Sequence, residues 1–116
     1  MPPRQSRNPL PQGSLDMLIL RTLSTGPKHG YAVARHLHSV SQAFIQVEEG
    51  SLYPALHRLE RRGLIASEWG PSEANRKAKF YSLTPAGRKA LRAQITAWQK
   101  MQQAITSIMN FRPAET

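Results

Sequence analysis

The lysine and arginine side chains give the clearest indication of a binding function in this sequence, because they are numerous and unevenly distributed. Sixteen lysines and arginines stand against seven aspartates and glutamates, which gives a formal net charge of +9. From Arg76 to Lys100 there are basic residues and no acidic one. Such charge binds polyanions, so DNA, RNA and an acidic membrane surface are the partner classes to consider. A basic surface that only maintains solubility is the alternative, but the uneven distribution favours a binding surface.

The sequence contains few residues that suit catalysis or metal binding. The sequence has no cysteine, and therefore no disulfide, thiolate nucleophile or cysteine-ligated zinc. No signature places a nucleophile beside a base, and no glycine-rich phosphate loop is present. His36 and His38 fall on different faces of a helix, while His57 and Glu60 have metal-ligand spacing but better suit a DNA contact or a surface ion pair. We therefore expect no catalytic residue, no metal and no cofactor.

The first half of the chain predicts a flexible arm followed by two helices. A length of 116 residues allows one compact domain. Residues 1–12 are proline-rich with little to bury, so we expect a flexible arm there. The first helix should have Ser14 as its N-cap and end at Gly26-Pro27. The second runs from about Gly30 to Val40. Its predicted buried face consists of Val33, Ala34, Leu37 and Val40.

A third helix, predicted at Ser51 to Arg62, has a basic and nearly flat outer face. Its predicted buried stripe is Leu52, Ala55, Leu56 and Leu59. Pro54 fits only in a first turn or at a kink, which leaves the start of this helix open. Gly63 should end it as a left-handed C-cap, with Leu64 making the accompanying apolar contact. A helix that enters the major groove needs small residues at its leading end, then polar and basic side chains. The residues of this helix predicted to contact DNA are Ser51, Tyr53, Pro54, His57, Arg58 and Arg61.

Two short segments rich in β-formers follow, Leu64–Trp69 and Lys79–Leu83, separated by the turn-prone residues Gly70–Asn75. They predict a hairpin whose basic tip could follow the DNA backbone or enter the adjacent minor groove. Its predicted DNA-contacting residues are Arg76, Lys77 and Lys79. Three helices followed by a hairpin are the winged helix-turn-helix arrangement. The expected fold is therefore mainly α, with three helices and a two-stranded β wing forming a DNA-binding domain over residues 13–83.

The last predicted helix carries a repeat that indicates self-association. Thr84-Pro85 is a strong start signal, and we expect a helix over residues 84–110 with a tail at 111–116. Its apolar residues recur at seven-residue intervals, as in a coiled-coil seam, which predicts a homodimer. Pairing would place two recognition helices about one DNA turn apart, roughly 34 Å, and would match a palindromic operator. The predicted seam residues are Leu91, Ile95, Trp98, Met101, Ile105 and Ile108.

Four motifs together resemble the PadR family of transcriptional regulators over about Leu10 to Ile108. The motifs are Gly13-Ser14-Leu15-Asp16, His29-Gly30-Tyr31, the run from Gly50 to Glu60, and the run from Lys79 to Gly87. The resemblance implies a winged-helix dimer that represses genes, commonly detoxification or efflux genes, and that a small molecule releases from its operator. It makes the Ser51–Arg62 helix the recognition helix and Gly70–Lys79 the wing. One departure is the wing tip, which has no glycine where many members have one.

The resemblance also implies a ligand site. In some similar proteins the dimer encloses an apolar channel in which an aromatic side chain stacks on flat ligands. We therefore hypothesise that Ile95, Trp98 and Met101 line an effector pocket for a planar aromatic compound. The alternative is that Trp98 is an ordinary aromatic of the dimer seam.

Two other function classes remain open from the residues alone. A non-specific nucleic-acid packaging protein would carry the same charge without preferring an operator. A membrane-surface protein that uses the last helix is less favoured, because a heptad period with alanine flanks suits a partner helix better than lipid. No apolar run approaches the ~18 residues that span a bilayer, and no secretory signal is present. We expect a cytoplasmic protein without membrane association.

Overall fold

The computed structural model describes residues 13–72 and 75–114. They form the winged helix-turn-helix expected from the sequence, with a long C-terminal helix. The arm predicted for residues 1–12 and the end of the predicted tail, residues 115–116, lie outside the described residues. The elements are α1 (Ser14–Leu23), β1 (Lys28–His29), α2 (Gly30–Val40), α3 (Glu49–Arg61), β2 (Ile65–Pro71), β3 (Lys77–Leu83) and α4 (Pro85–Met109).

The small antiparallel sheet contains one strand that the sequence analysis missed. The strand order is β1-β3-β2, with Lys28 opposite Tyr81 in the β1–β3 pair. A strand of two residues is too short to produce a periodic pattern, so sequence reasoning could not find it. β2 and β3 pair from Ile65 with Leu83 to Pro71 with Lys77. The hairpin is therefore longer at its tip than predicted.

The core lies where α1, α2, α3, the sheet and the start of α4 meet. Ile19, Leu20, Val33, Leu56 and Leu59 are completely buried. Each such side chain contributes about 1.5–3 kcal/mol through removal from water. All four residues of the predicted α3 stripe are buried, which confirms that the stripe faces the core. This packing fixes the inner face of α3 and leaves its outer face to solvent.

Two predictions for the first two helices were wrong. Val40 is 68% exposed, because it is the last residue of α2 and lies beyond the part of the helix that packs on the core. Ser14 is the first helical residue rather than the N-cap. Gly13 occupies the cap position with a φ of 87°, a left-handed conformation that glycine adopts without steric cost.

The two ends of α3 determine which of its residues are helical. The helix starts at Glu49, so Pro54 lies inside it rather than in its first turn, and the ring removes one backbone hydrogen bond there. At the other end, the Gly63 N–H donates to the Glu60 carbonyl at 2.9 Å and the Leu64 N–H donates to the Leu59 carbonyl at 3.0 Å. These two bonds and the Gly63 φ of 75° form the predicted glycine C-cap, in the Schellman arrangement.

The C-terminal helix α4 begins as predicted and extends far beyond the core. The Thr84 hydroxyl accepts a hydrogen bond from the Gly87 N–H at 3.0 Å, and Pro85 is the first helical residue. Within α4 only Gly87 and Leu91 are buried. Among the described residues, no helix has both the length and the hydrophobicity to cross a membrane, α4 included.

Candidate DNA-binding surface and dimerisation helix

The outer face of α3 carries most of the residues predicted to contact DNA. Ser51, Pro54, His57 and Arg61 are exposed. They belong to a helix whose opposite side is held in the core, so the exposed face has a fixed orientation. The surface combines small or rigid residues near the helix start with an imidazole and a guanidinium further along. Such a face suits close approach to a DNA groove.

Tyr53 is half-buried because its ring packs against the start of α2. A Cβ atom added at Gly30 would lie 2.8 Å from Tyr53 Cε1 and 2.9 Å from its hydroxyl oxygen. Gly30 therefore lacks a side chain for a steric reason, and the two helices can approach closely here. This contact places the Tyr53 hydroxyl beside α2, at the edge of the outer face of α3.

Arg58 is exposed on α3, but its guanidinium group has a partner within the protein. Arg58 Nη2 lies 2.6 Å from Asp16 Oδ1 on α1, and Arg62 Nη1 lies 3.9 Å from Asp16 Oδ2. The Asp16 side chain is only 14% exposed, whereas that of Arg58 is 47% exposed. The ion pair therefore links α3 to α1. The sequence analysis predicted Arg58 only as a DNA contact and did not predict this structural role.

Glu60 connects α3 to the hairpin. Its carboxylate accepts a hydrogen bond from the Ser67 hydroxyl on β2 at 2.5 Å and lies 3.6 Å from Lys79 Nζ on β3. The Ser67 hydrogen bond lowers the pKa of Glu60 more than partial burial raises it, and the Lys79 ammonium group lowers it further. Lys79, a predicted DNA contact, also lies over the Tyr81 ring. The positive charge of Lys79 therefore interacts with groups of the protein itself, the Glu60 carboxylate and the Tyr81 ring.

A cleft of about 740 Å³ separates α3 from the hairpin, and the N-terminal half of α2 borders it on the third side. It brings together His57 of α3 and the predicted wing residues Arg76, Lys77 and Lys79. Arg76 and Lys77 are exposed near the hairpin tip, as predicted. Arg58 and Arg61 do not line this cleft.

Sequence reasoning did not assign several residues of this cleft to the binding surface, among them an arginine and two large aromatic residues. Tyr31 and Arg35 of α2 and Trp69 of β2 all line it. Tyr31 and Arg35 are four residues apart, so they share one face of a helix, and that spacing was the available signal. The face looks like an ordinary solvated surface until the tertiary structure places it beside the hairpin.

The predicted dimer seam divides into a buried part and an exposed part. Leu91 is only 6% exposed and belongs to the core of its own chain, so its assignment to the seam was wrong. Ile95 packs partly against the same core. The reason is that the first turns of α4 lie on the winged-helix domain and use this face internally. The remaining predicted seam residues are exposed, at 47% for Trp98, 61% for Met101, 51% for Ile105 and 72% for Ile108.

A groove of about 590 Å³ runs between the start of α1 and the distal half of α4. Trp98 and Met101 line it, as the effector hypothesis requires, together with Met17 of α1. Ile95 does not line it, because its side chain packs against the core. Gln94 also lines the groove, and its buried Oε1 atom has no hydrogen-bond partner among the described residues. The groove is therefore mainly apolar and contains a buried hydrogen-bond acceptor without a partner among the described residues.

Comparisons with known proteins agree with this architecture. The model of the transcriptional regulator PadR-like family matches residues 19–93. The transcriptional regulator Rv3488 of Mycobacterium tuberculosis is 34% identical over 87 residues, which cover 75% of this chain and 78% of that protein.

Solved structures give the same result. A PadR family transcriptional regulator from Eggerthella lenta superposes with a TM-score of 0.75 at 32% identity, covering 87% of this chain and 86% of that one. A PadR-like transcriptional regulator from Bacillus cereus has a TM-score of 0.76 at 27% identity, with 87% and 96% coverage. The family match spans more than half of the sequence, and the fold agrees over nearly all of it. The chain therefore belongs to the PadR-like family of transcriptional regulators.

Proposed function

We propose that this protein is a sequence-specific regulator that binds double-stranded DNA as a homodimer and represses transcription. The observation that carries the proposal is the exposed, basic outer face of α3, which the core holds in a fixed orientation beside a cationic hairpin. In this proposal α3 enters the major groove and the hairpin tip reaches the adjacent minor groove. Residues 13–83 form the DNA-binding part.

The proposed dimer forms through the distal half of α4, within residues 84–110. Trp98, Met101, Ile105 and Ile108 form a row of large apolar side chains that remain between 47% and 72% exposed in one chain. Burying such side chains against a second copy would contribute about 1.5–3 kcal/mol for each fully covered side chain. Two copies related by a two-fold axis would present two α3 helices to a palindromic operator. Light scattering at micromolar concentration should give the mass of a dimer, and a monomer would contradict this part.

The groove beside Trp98 is the proposed site of an effector that releases the operator. Its apolar lining, the indole ring of Trp98 and the free Gln94 Oε1 suit a planar aromatic compound that carries a hydrogen-bond donor. Such compounds should quench Trp98 fluorescence in a Trp69→Phe background, where Trp98 is the remaining tryptophan. Trp98→Ala in a protein that retains Trp69 should lose the release of operator DNA by the same compounds, while Trp69 emission still reports that DNA binds. If no planar aromatic compound has an effect, the effector proposal fails while the DNA proposal stands.

Footprinting on the DNA upstream of the protein's own coding region tests the central proposal. We expect two protected half-sites about one helical turn apart, and a preference of ~10³ or more over random DNA. Arg61→Ala should weaken operator binding by about 1–3 kcal/mol if the side chain reads a base. Lys77→Ala should weaken binding to all sequences alike and reduce the salt dependence by about one counterion. Equal affinity for operator and random DNA would instead support a non-specific packaging protein.

A further inference from the structure

The cleft between α2, α3 and the hairpin has more cationic and aromatic groups than the predicted DNA-binding residues account for. Tyr31 and Arg35 form its α2 side, and Trp69 stands on the hairpin side. Tyr31 is 60% exposed and Trp69 is 65% exposed, which is unusual for large aromatic side chains in a folded chain. Two exposed aromatic rings on facing walls of a basic cleft indicate a bound partner.

The cations of the cleft lack internal neutralisation. The described residues that line it include no carboxylate. Lys79 is paired with Glu60, but Arg35, Arg76 and Lys77 have no ion pair within the described part of the chain. Like charges placed together raise the local positive potential, which is costly in the free protein and favourable when an anion enters. The cleft is thus complementary to a polyanion.

The α2 wall is ordered rather than a loose set of long side chains. The Arg35 guanidinium carbon lies 5.2 Å from the centre of the Tyr31 ring, in a cation–π contact. The Tyr31 ring is in turn nearly parallel to that of His29, with an interplanar angle of 5° and centres 6.5 Å apart. His29 is itself anchored, because its Nδ1 accepts a hydrogen bond from the Ala32 N–H at 3.2 Å. This stack limits the freedom of Arg35 before any ligand binds.

The position of the cleft determines which part of a duplex it could meet. If α3 occupies the major groove and the hairpin tip occupies the adjacent minor groove, the strand backbone that separates the two grooves must run between them. We propose that this backbone lies in the cleft, with Arg35 binding a phosphate while Tyr31 and Trp69 pack against neighbouring sugars. The inference rests on the proposed DNA-binding function and adds an α2 contact to it. Since phosphates and sugars are the same in every sequence, these contacts position the protein without reading bases.

Arg35→Ala tests the inference on a fluorescently labelled duplex of random sequence and on one from the upstream region. We expect about tenfold weaker binding to both duplexes, and a slope of log affinity against log salt that is smaller by about 0.9. Arg35→Lys should keep the slope, because the charge remains. Arg21→Ala, an exposed arginine on α1 that does not line the cleft, is the matched control and should bind like the unchanged protein. Far-ultraviolet circular dichroism checks that each variant is folded.

Trp69 provides an independent readout in the unchanged protein. Tryptophan emission should shift or be quenched when either duplex is added, high salt should reverse the change, and Trp69→Phe, which leaves Trp98 as the remaining tryptophan, should remove it. Unchanged Trp69 emission, or an Arg35→Ala variant that behaves like Arg21→Ala, would overturn the inference while operator binding remained intact. Failure of the unchanged protein to bind any duplex would overturn the proposed function and this inference together.

Discussion

The ion pair between Asp16 and Arg58 predicts that two neighbouring arginines of α3 have different roles. Arg58 is tied to α1 through Asp16, whereas Arg61 is exposed and has no ion pair among the described residues. Arg58→Ala should therefore lower the stability of the fold. Arg61→Ala should leave stability within about 0.5 kcal/mol and weaken DNA binding instead. The two variants remove the same side chain from positions less than one helical turn apart, so each is the control for the other.

The expected size of the Arg58 effect follows from the geometry. A hydrogen bond between charged groups contributes about 1.5–3 kcal/mol, but a fully exposed pair contributes only about 0.2–1 kcal/mol. Here the bond is short, at 2.6 Å, and the carboxylate is 14% exposed, while the guanidinium side chain is 47% exposed. Solvent screening on the arginine side places the coupling between these limits, at about 1 kcal/mol.

A double-mutant cycle measures that coupling. Asp16→Ala, Arg58→Ala and the double variant are unfolded in urea at one fixed protein concentration, because the stability of a dimer depends on concentration. The cycle is built in an Arg62→Ala background, since Arg62 lies 3.9 Å from Asp16 and could replace the lost partner. A coupling below about 0.3 kcal/mol, within the usual error of additivity, would refute the structural role of Arg58.

Three further predictions concern stability. Gly87→Ala should destabilise the fold by at least about 2 kcal/mol in thermal unfolding, because the new methyl group overlaps the Leu64 carbonyl oxygen. Gly50→Ala is the control and should not lower the stability of the fold, because the added carbon meets nothing within 4 Å. Gln42→Gly should raise the urea midpoint of unfolding by an amount equivalent to about 1 kcal/mol. Gln42 follows the end of α2 with a φ of 56°, a left-handed conformation that is strained for glutamine and not for glycine. A lower midpoint would contradict this backbone strain. Glu60→Gln should destabilise the protein more at pH 7 than at pH 3. The pKa of Glu60 is lowered on folding, so its contribution to stability is fully present above the ordinary value of 4.5 and declines as the pH falls towards and through the lower folded value. Urea titrations that show the same difference at both pH values would contradict the Glu60 argument.

Most of the element structure could be predicted from residues that lie close together in sequence. Gly63 and Leu64 end α3 through bonds to residues three and five positions away, and Thr84 caps α4 through a bond three residues ahead. Signals of this range are visible without a fold. The strand β1 was missed for the opposite reason: its two residues are defined only by pairing with β3, more than fifty positions later.

The candidate site could be predicted only in part. The exposed positions of His57 and Arg61 follow from the helical period of α3, because the opposite face had to be buried. The engagement of Arg58 could not be predicted in that way, since Asp16 is 42 residues distant in the chain. The same holds for Arg35, which becomes part of a cleft only when the hairpin folds against α2.

The sequence by itself determined which faces of the helices are apolar, where the helices end and to which family the chain belongs, because these properties depend on side-chain type and short spacing. The tertiary structure alone decided what each apolar or charged face meets. Along α4 the heptad pattern treats Leu91 and Trp98 as equivalent, yet Leu91 is buried in its own chain and Trp98 is exposed beside the groove. The physical reason is that the spacing of apolar residues shows only which side of the helix they lie on. What covers that side at a given turn depends on how far the rest of the domain extends along the helix.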